Sequence, residues 1–199
     1  MRAALVSVII VIATRAATSV RAQAPGPAPD ETPRWRATVA AGFLTGLESG
    51  LSIAELTYVV DEVVQFVVGH VTLYPTTPGA RATSLTRIGS VWVVRRGRVT
   101  VDDRLLIERV SNRATGVSAR ARNRLRISWR PRKDLGVGVF ASTEALVSTD
   151  SGATEYRVQA GASRSVGPFL GEVSWLRTGA GARPMRDNLL ALAYWRFAR

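Results

Sequence analysis

The segment from Ser118 to Arg130 repeats with a period of two residues. Its even positions include Arg120, Arg122, Arg124 and Arg126, and the residues between these arginines are alanine, asparagine and leucine. In a helix the arginines would be spread around the axis and would leave no apolar stripe, whereas an extended chain places them all on one face. The segment therefore predicts a β-strand with one charged face and one mostly apolar face.

The same alternation recurs along most of the chain after residue 33. It predicts ten strands, at about residues 34–45, 51–60, 63–74, 83–94, 98–110, 118–129, 135–147, 154–164, 168–177 and 188–197. Most of these are longer than the five or six residues usual for soluble strands and match the 9–11 residues with which a tilted strand crosses a bilayer. Residues 59–64 are four valines around two acids, which leaves the register of the first strands open. Eight strands is therefore the alternative count.

The links between the predicted strands alternate in length. Those after the second, fourth, sixth and eighth strands are short, and those after the third, fifth, seventh and ninth are longer on average. Transmembrane barrels have short periplasmic turns and longer loops at the other end. The pattern therefore predicts an all-β, antiparallel, up-and-down transmembrane β-barrel with an even strand count and both termini on the periplasmic side.

The side on which the charges lie separates this interpretation from a soluble all-β sandwich or a lipocalin-like barrel. A soluble barrel would turn its apolar parity inward, whereas a membrane barrel turns it toward lipid and keeps polar groups inside. Large aromatic residues occupy the apolar parity near strand ends, as expected of residues at the lipid interface, and we assign this position to Trp129, Trp175, Trp195 and Phe197.

The charged parity then predicts a lumen that contains both signs of charge. Its members are Arg87, Arg104, Glu108, Arg120, Arg122, Arg124, Arg126, Glu144, Arg157 and Glu172. Ionic groups in a narrow lumen need partners, because an unpaired desolvated charge is costly. We therefore expect a salt-bridged network that fills a small barrel. A narrow pore or pocket for anions is the alternative, because arginines outnumber acids on this face, although a barrel of ten strands is close to the size that side chains fill completely.

The N-terminus predicts export. Arg2 precedes an apolar run from Ala3 to Ala13, which is too short to span a membrane but suits a secretory signal. We predict a signal peptide over residues 1–22, with cleavage after Ala22 or alternatively after Ala24, a proline-rich linker over 23–33 and the barrel over 34–199. The predicted location is the bacterial outer membrane.

Two of these strands resemble a bacterial outer-membrane family catalogued only as domain of unknown function 2490. The resemblance lies in Arg104-Leu-Leu-Ile-Glu108-Arg109 and in the segment from Arg122 to Trp129, followed by an inward glutamate at Glu144, by Arg157 and by the closing strand 188–197. It covers roughly residues 63–197. It implies the location and the barrel fold, and no established activity. The chain departs from the family pattern at Leu106, where a second arginine is usual, and in residues 34–62.

Composition limits the other classes of function. The chain has no cysteine and one histidine, which rules out thiolate chemistry and metal sites built from several histidines. An outer-membrane enzyme that modifies lipid or lipopolysaccharide is a less favoured alternative, because it would need a base and His70 is the only imidazole. The net charge of +12 suggests a nucleic-acid binder, but the arginines alternate with apolar residues along strands instead of forming solvated patches.

The sequence therefore predicts a non-catalytic, porin-like barrel with no cofactor and no metal. The expected partners are outer-membrane lipids, lipopolysaccharide and, during insertion, the barrel-assembly machinery, with no nucleic acid and a monomer as the default state.

Overall fold

The computed structural model describes residues 34–45, 49–132, 135–181 and 184–198. The predicted signal peptide and linker, residues 1–33, lie outside the described residues. The described chain forms ten strands: β1 (Trp35–Leu44), β2 (Ser49–Val59), β3 (Val64–Pro75), β4 (Thr83–Arg96), β5 (Val99–Asn112), β6 (Gly116–Arg132), β7 (Val137–Ser148), β8 (Thr154–Val166), β9 (Phe169–Ala180) and β10 (Arg186–Ala198). No helix within these ranges is long and apolar enough to cross a membrane.

The ten strands form one closed antiparallel barrel in which each strand pairs with its neighbours along the chain. The barrel closes where β1 pairs with β10, in a register that runs from Arg36 opposite Ala198 to Leu44 opposite Leu190. Closure leaves no sheet edge with unpaired backbone groups. The predicted all-β, up-and-down barrel of ten strands is confirmed, and the alternative count of eight is wrong.

The two ends of the barrel differ in their connections. Turns at 60–63, 97–98 and 167–168 lie at the end where β1 begins and β10 ends, which we call the short-turn end. Loops at 76–82, 113–115 and 149–153 lie at the opposite end, the loop end. The link after β5 is shorter than predicted because Asn112 still pairs with Gly116.

One aspartate fixes the turn that the sequence left ambiguous. The Asp61 carboxylate accepts hydrogen bonds from the backbone N–H groups of Val63, at 2.7 Å, and Val64, at 2.6 Å. Such a bond from an aspartate to backbone two or three residues ahead replaces a strand pairing with a turn. The run of valines is therefore divided between β2, which ends at Val59, and β3, which begins at Val64.

Side chains alternate between the two faces of the wall in the sense expected of a membrane barrel. Charged residues such as Arg87, Glu108 and Glu172 are buried inside, whereas many large apolar residues are exposed on the outer wall. Examples from five strands are Phe66, Ile88, Ile127, Val173 and Leu189. A soluble sandwich or lipocalin-like barrel would show the reverse arrangement, and that alternative is wrong.

A close approach between β4 and β5 depends on Gly89. A Cβ atom added there would overlap the backbone carbonyl of Leu105. We expect Gly89→Val to lower the free energy of unfolding by about 1–3 kcal/mol, the usual cost of forcing extra volume into a packed site. Urea unfolding of the protein in lipid vesicles, followed by tryptophan fluorescence, measures this.

Gly50→Val is the matched control for this substitution. The nearest atoms to a Cβ at Gly50 lie 3.9 Å away, on Tyr74, so this valine fits without displacing backbone. Equal unfolding midpoints for the two variants would show that β4 and β5 tolerate a side chain at Gly89 and would contradict the close approach.

Candidate functional site

The arginines of β6 form the centre of an ion-pair network inside the barrel. Glu108 on β5 accepts hydrogen bonds from Nε of Arg120, at 2.6 Å, and from Nη1 of Arg122, at 3.1 Å. Arg122 also forms an ion pair through its Nε with Glu144 on β7. One guanidinium therefore joins carboxylates from the strands on both sides of β6.

A second group of ion pairs bridges strands that are not neighbours in the sheet. Glu55 on β2 accepts hydrogen bonds from Arg87 on β4, at 2.7 Å, and from Arg104 on β5, at 3.1 Å. The first of these bonds passes over β3 at Gly69, where an added Cβ would lie 3.2 Å from Nε of Arg87. The absence of a side chain at Gly69 provides room for the bridge.

A third group reaches across the lumen from β6 to β9. The two guanidinium Nη atoms of Arg126 donate to Glu172, at 2.5 and 3.3 Å, and the Tyr194 hydroxyl donates to the same carboxylate at 3.3 Å. The guanidinium also lies 3.8 Å above the ring centroid of Phe140. The bidentate geometry and the stacking are those that arginine favours where a charge is withdrawn from water.

Two further arginines, Arg124 and Arg157, complete the network. Arg124 donates to Asp102 at 3.0 Å. Arg157 lies 3.8 Å from Glu144 and donates to Glu155 on its own strand at 2.6 Å.

All ten residues assigned to the lumen from the sequence lie on inward-facing positions, and each has at least one ion-pair partner among the described residues. Sequence reasoning missed four members of the network, Glu55, Asp102, Glu155 and Tyr194. The sequence did contain a signal for Asp102. Adjacent residues of a strand face opposite ways, so one of Asp102 and Asp103 had to face the lumen, and Asp103 faces outward.

Access to solvent differs between members of the network. The side chains of Glu55, Glu108, Glu144 and Glu172 are at most 9% exposed, whereas Arg120 and Arg157 retain 21% and 25%. These four carboxylates are thus covered by their partners, whereas Asp102 and Glu155 retain 18% and 29% exposure.

Not every donor of these guanidinium groups is used. The buried Nε atoms of Arg87, Arg104 and Arg124 have no hydrogen-bond partner. Their Nη atoms, by contrast, hold the acids described above.

The four predicted interface aromatics lie on the outer wall. Trp129, Trp195 and Phe197 are toward the short-turn end, whereas Trp175, predicted near a strand end, lies close to the middle of β9 and only slightly nearer the loop end. The ring centroid of Trp195 lies 5.4 Å from that of Phe169 and 4.7 Å from that of Phe197.

Further aromatic residues extend both groups. Toward the short-turn end they are Trp35, Tyr58, Phe66 and Trp92, and toward the loop end they are Phe43, Tyr74 and Tyr156. Most of them belong to the first three strands, whose register was open in the sequence. Together with the predicted four they form two aromatic belts, the arrangement found at the two interfaces of membrane barrels.

His70 is on the outer wall, away from the charged network. Its Nδ1 lies 3.3 Å from the hydroxyl of Thr86, and no carboxylate among the described residues pairs with it. The described ranges contain no group of three side chains that could hold a metal ion.

Removing one buried carboxylate tests how strongly the network stabilises the barrel. Glu108 is fully buried and is the only ion-pair partner of Arg120 among the described residues, so Glu108→Gln leaves a largely buried guanidinium without its counter-charge. We expect the free energy of unfolding to fall by about 3–5 kcal/mol. Urea unfolding in lipid vesicles measures the loss.

Glu155→Gln is the control for charge alone. Glu155 is 29% exposed and, within the described part of the chain, pairs only with Arg157. Its loss should cost at most about 1 kcal/mol. Similar small losses for both variants would contradict a stabilising role for the network.

Comparison with known proteins relates the fold to one class of membrane protein. No family model and no curated protein matches the chain. An outer-membrane channel from Pseudomonas putida F1 is similar in structure, with 12% identity, a TM-score of 0.51 and coverage of 88% of this chain and 100% of that one. A chain from work on the in-meso crystallisation of membrane proteins has 8% identity and a TM-score of 0.51, and the match covers 82% of this chain and 83% of that one. At such identities the likeness concerns the fold, and the chain has the closed β-barrel fold found in outer-membrane proteins.

Proposed function

We propose that this chain is an integral outer-membrane protein whose lumen is closed by salt bridges and which has no catalytic activity. The observation that carries the proposal is that ion pairs join non-neighbouring strands across the interior. Glu55 bridges β2 to β4 and β5, and Glu172 bridges β9 to β6. Such bridges occupy the space through which a solute would pass.

The outer wall supports the membrane location. A barrel that exposes Phe66, Ile88 and Val173 and buries its charges would be poorly soluble as a monomer in water. The same arrangement suits a bilayer, because each strand of the closed sheet pairs with a neighbour on both sides and apolar side chains can contact lipid. Export by a signal over residues 1–22 and the resemblance to domain of unknown function 2490 remain predictions from the sequence.

The burial of wall residues supports a closed lumen. Leu106 and Glu108 face inward at neighbouring inward positions on β5, and both have 0% exposure. A side chain that faced an open aqueous pore would be accessible to water. A barrel of eight strands has an interior that side chains just fill, and ten strands add little to that diameter.

A narrow anion-preferring pore is the second candidate function. It is favoured by the burial of Glu55, Glu108, Glu144 and Glu172, whose side chains are covered while Arg120 and Arg157 remain partly accessible. Arg87, Arg104 and Arg124 also retain Nε donors that are not used. The most exposed acid of the network is Glu155, which is paired with Arg157.

Planar-bilayer conductance separates the two candidates. A closed scaffold gives no steps above the baseline for the wild-type protein, and the double variant Arg126→Ala/Glu172→Ala, which removes one bridge across the lumen, gives measurable steps. The anion pore gives steps for the wild type, with a reversal potential in a salt gradient that favours chloride.

The control variant removes an arginine and its acidic partner from the outer wall instead of from the lumen. Arg177 and Asp187 form an exposed ion pair at 3.0 Å near the loop end. Arg177→Ala/Asp187→Ala should conduct no better than the wild type. Large, unselective wild-type steps would refute both candidates.

The non-catalytic part of the proposal has its own test. Cells that express the wild type, the His70→Ala variant or an empty vector should have the same phospholipid and lipid A species by mass spectrometry, because His70 contacts Thr86 and no acid of the described residues orients it. A lipid species that appears with the wild type and disappears with His70→Ala would identify an enzyme.

A further inference from the structure

A groove crosses the outer wall of the barrel where the first and last strands, β1 and β10, meet. Its floor follows one row of paired residues, in which Ala41 on β1 faces Ala193 on β10 and Ala193 faces Gly171 on β9. The groove is shallow and open to the outside, with a volume of about 660 Å³. Because all three residues are small and face outward, the wall is recessed along this row.

Larger side chains flank the floor. On the side toward the short-turn end are Val39, Trp195 and Phe169, the last two stacked with ring centroids 5.4 Å apart. On the side toward the loop end are Phe43 and Val173. The lining is therefore almost entirely apolar.

A single charge lies at one end of the floor. Arg164 on β8 is the register partner of Gly171, lines the groove and is exposed on the outer wall. It lies two residues before β8 ends at Val166, so it is close to the short-turn end. No carboxylate among the described residues is within ion-pair distance of it.

We propose that this groove binds an anionic glycerophospholipid, with the phosphate at Arg164 and one acyl chain along Gly171, Ala193 and Ala41. The guanidinium group is complementary to a phosphate, and the apolar floor is complementary to a hydrocarbon chain. The row from β8 to β1 spans three strand spacings, or about 14 Å, and an acyl chain can contact the floor over that length. The site rests on the proposed membrane location, and it places the headgroup in the periplasmic leaflet.

A second copy of the chain fits the groove less well. To cover Arg164 it would have to present a free carboxylate from its outer wall. Two acids on the strands, Asp103 and Asp187, face outward within the described ranges, and both are engaged, with Asn123 and Arg177 respectively. A lipid phosphate can pair with Arg164 and needs no free carboxylate on the protein.

Quenching of tryptophan by brominated lipids tests the site directly. The chain has five tryptophans, and a variant that keeps only Trp195 reports on the groove, whereas one that keeps only Trp129 reports on the outer wall of β6. Each is inserted in phosphatidylcholine bilayers that contain brominated phosphatidylglycerol or brominated phosphatidylcholine. We expect phosphatidylglycerol to be favoured about fivefold at Trp195 relative to Trp129.

Two further variants divide the site into its headgroup and chain parts. Arg164→Gln should abolish the preference for phosphatidylglycerol at Trp195. Gly171→Leu should fill the floor and reduce quenching, and it should do so without strain, because no atom lies within 4 Å of a Cβ at Gly171. The controls are Arg109→Gln and Ala141→Leu, at exposed positions outside the groove. They should change neither the preference for phosphatidylglycerol nor the extent of quenching at Trp195.

Several outcomes would overturn the proposal. The first is an equal lipid preference at Trp195 and Trp129. The second is a loss of preference in Arg164→Gln with no effect of Gly171→Leu on quenching. The third is a wild-type dimer that becomes monomeric in Gly171→Leu by sedimentation, which would identify a second copy of the chain as the occupant. If brominated lipid quenches neither tryptophan, the chain is not in the bilayer, and the proposed location fails together with the site.

Discussion

The pairing of buried guanidinium groups with carboxylates is the interaction on which the barrel interior depends. Four arginines project inward from one strand, and withdrawing such charges from water is costly unless each finds a counter-charge in good geometry. The acids that pair with them come from β5, β7 and β9, and Glu55 on β2 pairs in the same way with Arg87 and Arg104. Pairs between non-neighbouring strands, such as Arg126 with Glu172, need a wall that curves strongly, so the network favours the curvature that brings β1 to β10.

This dependence also explains why the lumen is narrow. An ion pair such as Arg126 with Glu172 reaches from β6 to β9, past two intervening strands, at 2.5 Å. Two side chains can meet in this way only if the wall curves tightly between these strands. The Phe140 ring beneath the guanidinium of Arg126 fills the remaining space with an apolar group and adds a cation–π contact. The interior is thus held by contacts across the barrel as well as by the hydrogen bonds of its wall.

The sequence predicted which face of each strand is charged, because strand geometry alone fixes that alternation. It did not predict which charges meet. Glu55 was missed because the register of β2 was open until the Asp61 turn defined it. Asp102 is the register partner of Arg126 but bonds to Arg124, a diagonal choice that depends on side-chain packing. Bridges between non-neighbouring strands depend on the barrel diameter, which no local pattern encodes.

The seam between β1 and β10 connects the inner and outer faces of the wall. On the inner side, a Cβ at Gly42 would overlap the carbonyl of Ala191, so the two strands can approach only because that position is glycine. On the outer side the same region has Ala41 and Ala193. Small residues on both faces let the last strand close against the first, and the outer wall is consequently recessed there. The groove is then a physical consequence of closure. What makes it a candidate binding site is the charge of Arg164 at its end, which no carboxylate of the described ranges neutralises.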